Sequence, residues 1–362
     1  MQLYKHIRIV LFFLLSISSA FAQTSNKPLL FDYDWKFNLS DQKEYSQPNY
    51  NDADWRQLDL PHDWSIEGPT NINNPMKGAG GYFPAGIAWY RKSFQVPANW
   101  QNKKVAVYFE GVYMNSEVFI NGQSVGFHPY GYTSFYYDIT SYLLVGKENV
   151  IAVRVDNSPQ INCRWYSGSG IYRHVWVQVN EPVHVAHWGV DISTPEASAT
   201  KATVVVKTLI KNETDAAQKL ILSTALSTKK QKAAGSSVAS ITLQPQSEQW
   251  VSPTIQVNRP ELWSPESPTL YRAKGTLMHS GKTMDISEQE FGIRTIRYSA
   301  NKGFLLNGKS IKLNGGCVHH DHGCLGAASF DRAEERKVEL LKAAGFNTVR
   351  TSHNPPAEAF LR

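Results

Sequence analysis

Residues 347–356 read NTVRTSHNPP. Phe346 to Arg350 form a short apolar strand, and Arg350, Ser352, His353 and Asn354 gather at its carboxyl end before Pro355-Pro356 stops the backbone. Upstream, DRAEERKVELLKAA (331–344) predicts a helix capped by Ser329 or Asp331, stopped at Gly345, with Val338, Leu341 and Ala344 along one face. Before that, GFLLNGKSIKLNGG (303–316) predicts a hairpin turning at Asn307-Gly308 and leading into a buried strand. Strand, helix, strand is a βαβ unit, which implies a parallel pair and a right-handed crossover. One such unit cannot cover both faces of its own sheet.

Residues 297–362 therefore read as the first βαβ part of a truncated (β/α)8 TIM barrel, with strand edges and an apolar helix face left open. Working back along the chain, 27–181 shows no convincing helix. KKVAVYFEGV alternates through Val105, Val107 and Phe109, and SEVFINGQSVGFH turns at Asn121-Gly122. This is a jelly-roll β-sandwich. Short strands with polar turns over 182–296, interrupted by the proline-rich NRPELWSPESP, predict an immunoglobulin-like β-sandwich. The fold class is multidomain and mainly β.

The first 22 residues carry Lys5 and Arg8, an apolar run from Ile9 to Leu15, and Ala20-Phe21-Ala22. That is a signal peptide cut before Gln23, and the apolar run is too short to span a membrane. The protein is expected to be exported, to the periplasm in a Gram-negative host, and not to sit in the membrane. The formal charge of +6 falls to +4 without Lys5 and Arg8, with no dense basic run, which argues against nucleic acid. Three cysteines cannot build a disulfide framework, although Cys317 and Cys324 could pair.

Two polar clusters follow the two barrel strands: GGCVHHDHG (315–323) and Arg350 to Asn354. In a (β/α)8 barrel both would face one mouth. HHDH offers metal-ligand types, but neighbours on an extended segment point to opposite sides and no second cluster has ligand spacing. Trp165 divides evenly between core and site, and His62 and Asp63 are expected to fix a loop by local hydrogen bonds.

NTVRTSHNPP resembles the signature of family 2 glycoside hydrolases, and the order jelly roll, immunoglobulin-like domain, barrel is also that family's. DLPHDWSIEG (59–68), GIAWYRKSF (86–94) and RWYSGSGIYRHVWV (164–177) are most similar to β-galactosidases, with β-glucuronidases and β-mannosidases sharing much of the frame. The resemblance implies hydrolysis of terminal β-D-galactosides with retention. It places His319 and His353 on the sugar and Arg350 beside the catalytic carboxylates, and brings Asp321, Asn354, Arg164 and Trp165 to the pocket. Family members may use Mg or Na, whose ligands are not identifiable here, and no cofactor is evident. The family's acid/base glutamate follows an asparagine on a later barrel strand. Asn180-Glu181 and Asn212-Glu213 lie in the sandwiches, so neither catalytic glutamate is among these residues. The chain alone is expected to be inactive, with a carbohydrate-binding module or a fragment complemented by a second chain as the alternatives.

Overall fold

The computed structural model describes residues 27–362; the signal-peptide reading at 1–22 lies outside the described residues. The first unit is a sandwich of two antiparallel sheets. One has six strands, with Ile87–Gln95 and Glu148–Asp156 at its centre, and the other pairs Lys104–Phe109 with Val175–Asn180 and Phe135–Asp138. Val105, Val107 and Phe109 point inward against Val118, Ile120, Ile151 and Val153 from the opposite sheet. Alternation with period two produces this, since successive strand side chains leave opposite faces. Each such residue, fully buried, stabilises the sandwich by about 1.5–3 kcal/mol. The hairpin Ser116–Ile120/Gln123–His128 turns with φ of 50° at Asn121 and 83° at Gly122, the paired positive values a two-residue turn requires.

The second unit packs two four-stranded antiparallel sheets. Lys201–Asn212 alternates buried and open positions, and its Val204 and Val206 meet Leu226, Tyr271 and Ala273 across the core. NRPELWSPESP is a loop within this unit, tied by Trp263 N to Ile293 O.

The third unit begins with the hairpin Gly303–Leu306/Lys309–Ser310, turning at Asn307 and Gly308 with φ of 51° and 77°. Asn307 also joins it to the second unit, accepting from Thr295 N and donating to Trp263 O, both at 3.0 Å. Gly315–Val318 and Thr348–Thr351 then pair in parallel, with the helix Asp331–Ala343 between them. Two details depart from the expectations, and one open possibility is closed. The strand Gly315–Val318 is largely exposed rather than buried. The helix is entered from Phe330 with no side-chain cap; the Ser329 hydroxyl instead donates to the Glu334 carboxylate at 2.6 Å. All three cysteines are free, so Cys317 and Cys324 do not pair. Leu340, Phe346 and Leu361 are exposed, as expected of a barrel's first unit.

The βαβ unit is nevertheless tied to the jelly roll. Arg173 donates to Pro355 O, Tyr108 to Glu358, and His174 bridges Asp32 at 2.5 Å and Asp331, at the start of the helix, at 3.2 Å. Burial pushes the His174 imidazole down, but the Asp32 carboxylate outweighs it and the pKa rises to about 9. A raised histidine favours the protonated folded state, so its contribution is complete below the ordinary value near 6.5 and is lost as pH rises through about 9. Nearby Glu110 is pushed by burial up to about 7, so its own loss is over by then. Thermal melts should therefore show stability falling between about pH 7 and 9, and His174→Gln should flatten that slope. An unchanged slope in the variant would refute the assignment.

Candidate functional site

Val318 lies opposite Thr351 in the parallel pair, so the chain leaves both strands at the same end. That geometry brings His319 and His353 together, with ring centroids 6.0 Å apart and planes nearly perpendicular. Trp165, from a jelly-roll loop, stands 5.2 Å from each imidazole. Three rings from two units and three distant segments thus make one wall.

Beyond Trp165 opens a cavity of about 510 Å³, lined by Tyr113, Met114, Tyr130, Tyr132, Asn162, Arg164, His353 and Asn354 among others. Its size falls within the range of small-molecule sites. No aspartate or glutamate is among the lining residues. His319 lines an adjoining crevice of about 20 Å³ with Val318, His320 and Ser352, and its Nδ1 is buried with no hydrogen-bond partner among the described residues.

Two of the three rings are held from behind. Trp165 Nε1 donates to the Tyr132 hydroxyl at 2.9 Å, and burial pushes that phenol far above its ordinary value, so it stays neutral. Arg350 donates to His353 Nδ1 at 3.0 Å. Because a guanidinium can only donate, Nδ1 accepts and Nε2 carries the proton. Asn354 accepts from the Tyr130 hydroxyl. His320, the next residue, donates through Nε2 to Ser167 O at 3.0 Å, its pKa pushed by burial down to about 4.

The resemblance-derived residues therefore divide. His319, His353 and Trp165 come together; Arg164 and Asn354 line the cavity; Arg350 lies behind His353 rather than in the lining. Asp321 lines neither the cavity nor the crevice and lies toward Tyr166 and Lys337. His322 turns away toward buried Glu334, 3.1 Å distant. Among the described residues no three His, Cys, Asp or Glu side chains are grouped so that they could hold a metal ion. No helix among them is long and apolar enough to cross a membrane. Asp63 was expected to act locally, yet its carboxylate accepts from Ser65 and Ser169 of the jelly roll and from Ala327 of the barrel unit. Tyr113, Tyr130, Tyr132 and Asn162 carried no separate signal; the nearest hint was the aromatic density of HPYGYTS (128–134).

A jelly roll, an immunoglobulin-like sandwich and the opening of a TIM barrel, with an aromatic pocket where the first meets the third, define a multidomain protein of the mainly β class. Comparison with known proteins matches glycosyl hydrolases family 2 three times: the sugar binding domain over residues 27–181, the family 2 domain proper over 183–294 and the TIM barrel domain over 299–362. The chain belongs to glycosyl hydrolase family 2. A beta-galactosidase of Bacteroides ovatus is 44% identical over 331 residues, covering 91% of this chain and 39% of that protein. A putative beta-glucuronidase of Formosa agariphila is 40% identical over 328 residues, covering 90% of this chain and 31% of its own length. A family 2 member from Bacteroides cellulosilyticus superposes with a TM-score of 0.90 at 44% identity, over 92% of this chain and 44% of that one. The chain thus spans less than half the length of these relatives.

Proposed function

We propose that these residues form the sugar-holding part of a β-galactosidase-type site, with the two carboxylates that cleave the glycosidic bond supplied by chain beyond residue 362. The observation that carries the proposal is Trp165 standing 5.2 Å from both His319 and His353. An indole face suits the apolar face of a pyranose, while His353 Nε2–H and the Asn354 amide offer hydrogen bonds to its hydroxyls. Retention needs two carboxylates about 5–5.5 Å apart, and the cavity lining contains none. In this reading the 362 residues bind sugar without turning it over.

A second reading draws support from Arg164, which lines the cavity and makes no hydrogen bond or ion pair among the described residues. A glucuronide carboxylate would suit that guanidinium. Export to the periplasm belongs to the same proposal and rests on residues 1–22.

Calorimetry with methyl β-galactoside and methyl β-glucuronide separates the two sugars. The expected result is heat with the galactoside, no hydrolysis of a chromogenic β-galactoside, and activity once a chain carrying the remaining barrel is added. Hydrolysis by the purified 362-residue chain alone would overturn the division of labour. Binding of neither sugar would overturn the site.

A further inference from the structure

The Asp63 side chain touches no part of the cavity, yet it is 2% exposed and takes four hydrogen bonds. Oδ1 accepts from Ser65 N at 3.0 Å and Ser169 N at 2.8 Å; Oδ2 accepts from the Tyr166 hydroxyl at 2.5 Å and Ala327 N at 2.8 Å. The partners on one oxygen are all jelly roll, whereas the other oxygen joins the two units. Both neighbouring loops are shaped to admit it. A Cβ on Gly168 (φ 70°) would fall 2.4 Å from Ala327 Cβ and 2.7 Å from Asp63 Oδ2, and one on Gly326 (φ 60°) would fall 2.4 Å from the same oxygen. Close by, His320 Nε2 reaches Ser167 O. Tyr166 immediately follows Trp165, and Ala327 lies on the loop that leaves His319, so Asp63 joins the two ring-bearing loops, with the His320–Ser167 bond as a second tie between them.

We infer that Asp63 is a positioning residue: it holds the loop bearing Trp165 and the loop bearing His319 in one register, so that the stacking ring and the imidazole keep the spacing a bound sugar requires. The geometry stands by itself; its consequence for binding rests on the sugar reading above. Sites lose affinity when supporting contacts leave them loose by about 1 Å.

Asp63→Asn tests this selectively. If the amide oxygen keeps Ser65 N and Ser169 N, its NH2 faces Ala327 N–H. The Tyr166 hydroxyl can rotate to accept, but a backbone N–H cannot. With 5-fluorotryptophan incorporated and the Trp165 resonance assigned through Trp165→Phe, D63N should shift or broaden that resonance and weaken methyl β-galactoside binding about tenfold. Tyr166→Phe should act in the same sense and less strongly. Asp331→Asn, which takes the charge out of the inter-unit contact to His174 away from the cavity, should do neither. A wild-type resonance and affinity in D63N, or the same losses in D331N, would overturn the inference. If D63N does not fold, Y166F decides: a displaced Trp165 resonance supports the inference and an undisplaced one removes it. If the wild-type chain binds no sugar, the functional reading fails, and the fluorine resonance alone decides whether Asp63 positions Trp165.

Discussion

Alanine in place of Trp165 will weaken methyl β-galactoside binding about thirtyfold. A tryptophan offers 150–250 Å² of surface, and a sugar stacked on one face covers about half of it, so the contact contributes about 2 kcal/mol. Nothing else in the cavity can replace it, because the other aromatic side chains are engaged with one another. Tyr132 accepts from Trp165 Nε1 and packs its ring edge-on to Tyr113 at 5.0 Å, and Tyr130 is held by Asn354. Trp165→Phe keeps a platform and loses only the bond to Tyr132, so it should cost a few-fold. Saturation-transfer spectra and calorimetry on the three proteins are the measurement. Equal affinity in wild type and W165A would remove Trp165 from the site, and with it the observation on which the sugar-holding proposal rests.

The second large effect concerns stability. Glu334 is the most deeply buried residue of the helix Asp331–Ala343, 3% exposed, and three side chains converge on it. Ser329 Oγ donates at 2.6 Å, His322 Nε2 lies at 3.1 Å and Lys337 Nζ at 3.8 Å. Lys337 in turn donates to His319 O, linking the helix to the chain beside the cavity. Burial pushes the Glu334 carboxyl up, but the His322 imidazole and the Ser329 hydroxyl outweigh it and hold its pKa below the ordinary range. The contribution is therefore present above the unfolded value and is lost as pH falls through the lower folded one. Glu334→Ala strands the partners and should destabilise the third unit by about 3–5 kcal/mol. Glu334→Gln, which keeps an acceptor for Ser329, should cost less. Hydrogen exchange across 315–362 should show the loss confined to that unit, and unchanged protection in E334A would mean that the cluster contributes nothing.

Local pattern carried the architecture far. Alternation through Val105, Val107 and Phe109, the Asn-Gly turns at 121 and 307, and the glycine stop at 345 each rest on neighbours a few residues apart, so they are visible without the fold. Burial was the weaker inference. The apolar stripe of Val338, Leu341 and Ala344 suggested the packed face of the helix, yet the best-buried position is Glu334. The contacts that bury it come from His322 and Ser329 in the loop before the helix, and no periodicity describes those. The exposed strand Gly315–Val318 has the same cause: a strand is covered only by what packs on it, and few of the described residues do so.

For the site, sequence by itself determined which residue types stand at the carboxyl ends of two strands, and the resemblance it carries named His319, His353, Arg350 and Trp165 as participants. Tertiary structure alone decided which of them meet. Parallel register sets His319 beside His353, the Asp63 carboxylate brings the loop of Trp165, from far earlier in the chain, against both, and Asp321 is turned away from the same cavity. The physical reason is that backbone preferences act over a few residues, whereas a pocket is defined by distances between segments far apart in the chain, and those are set by the buried contacts that close the fold.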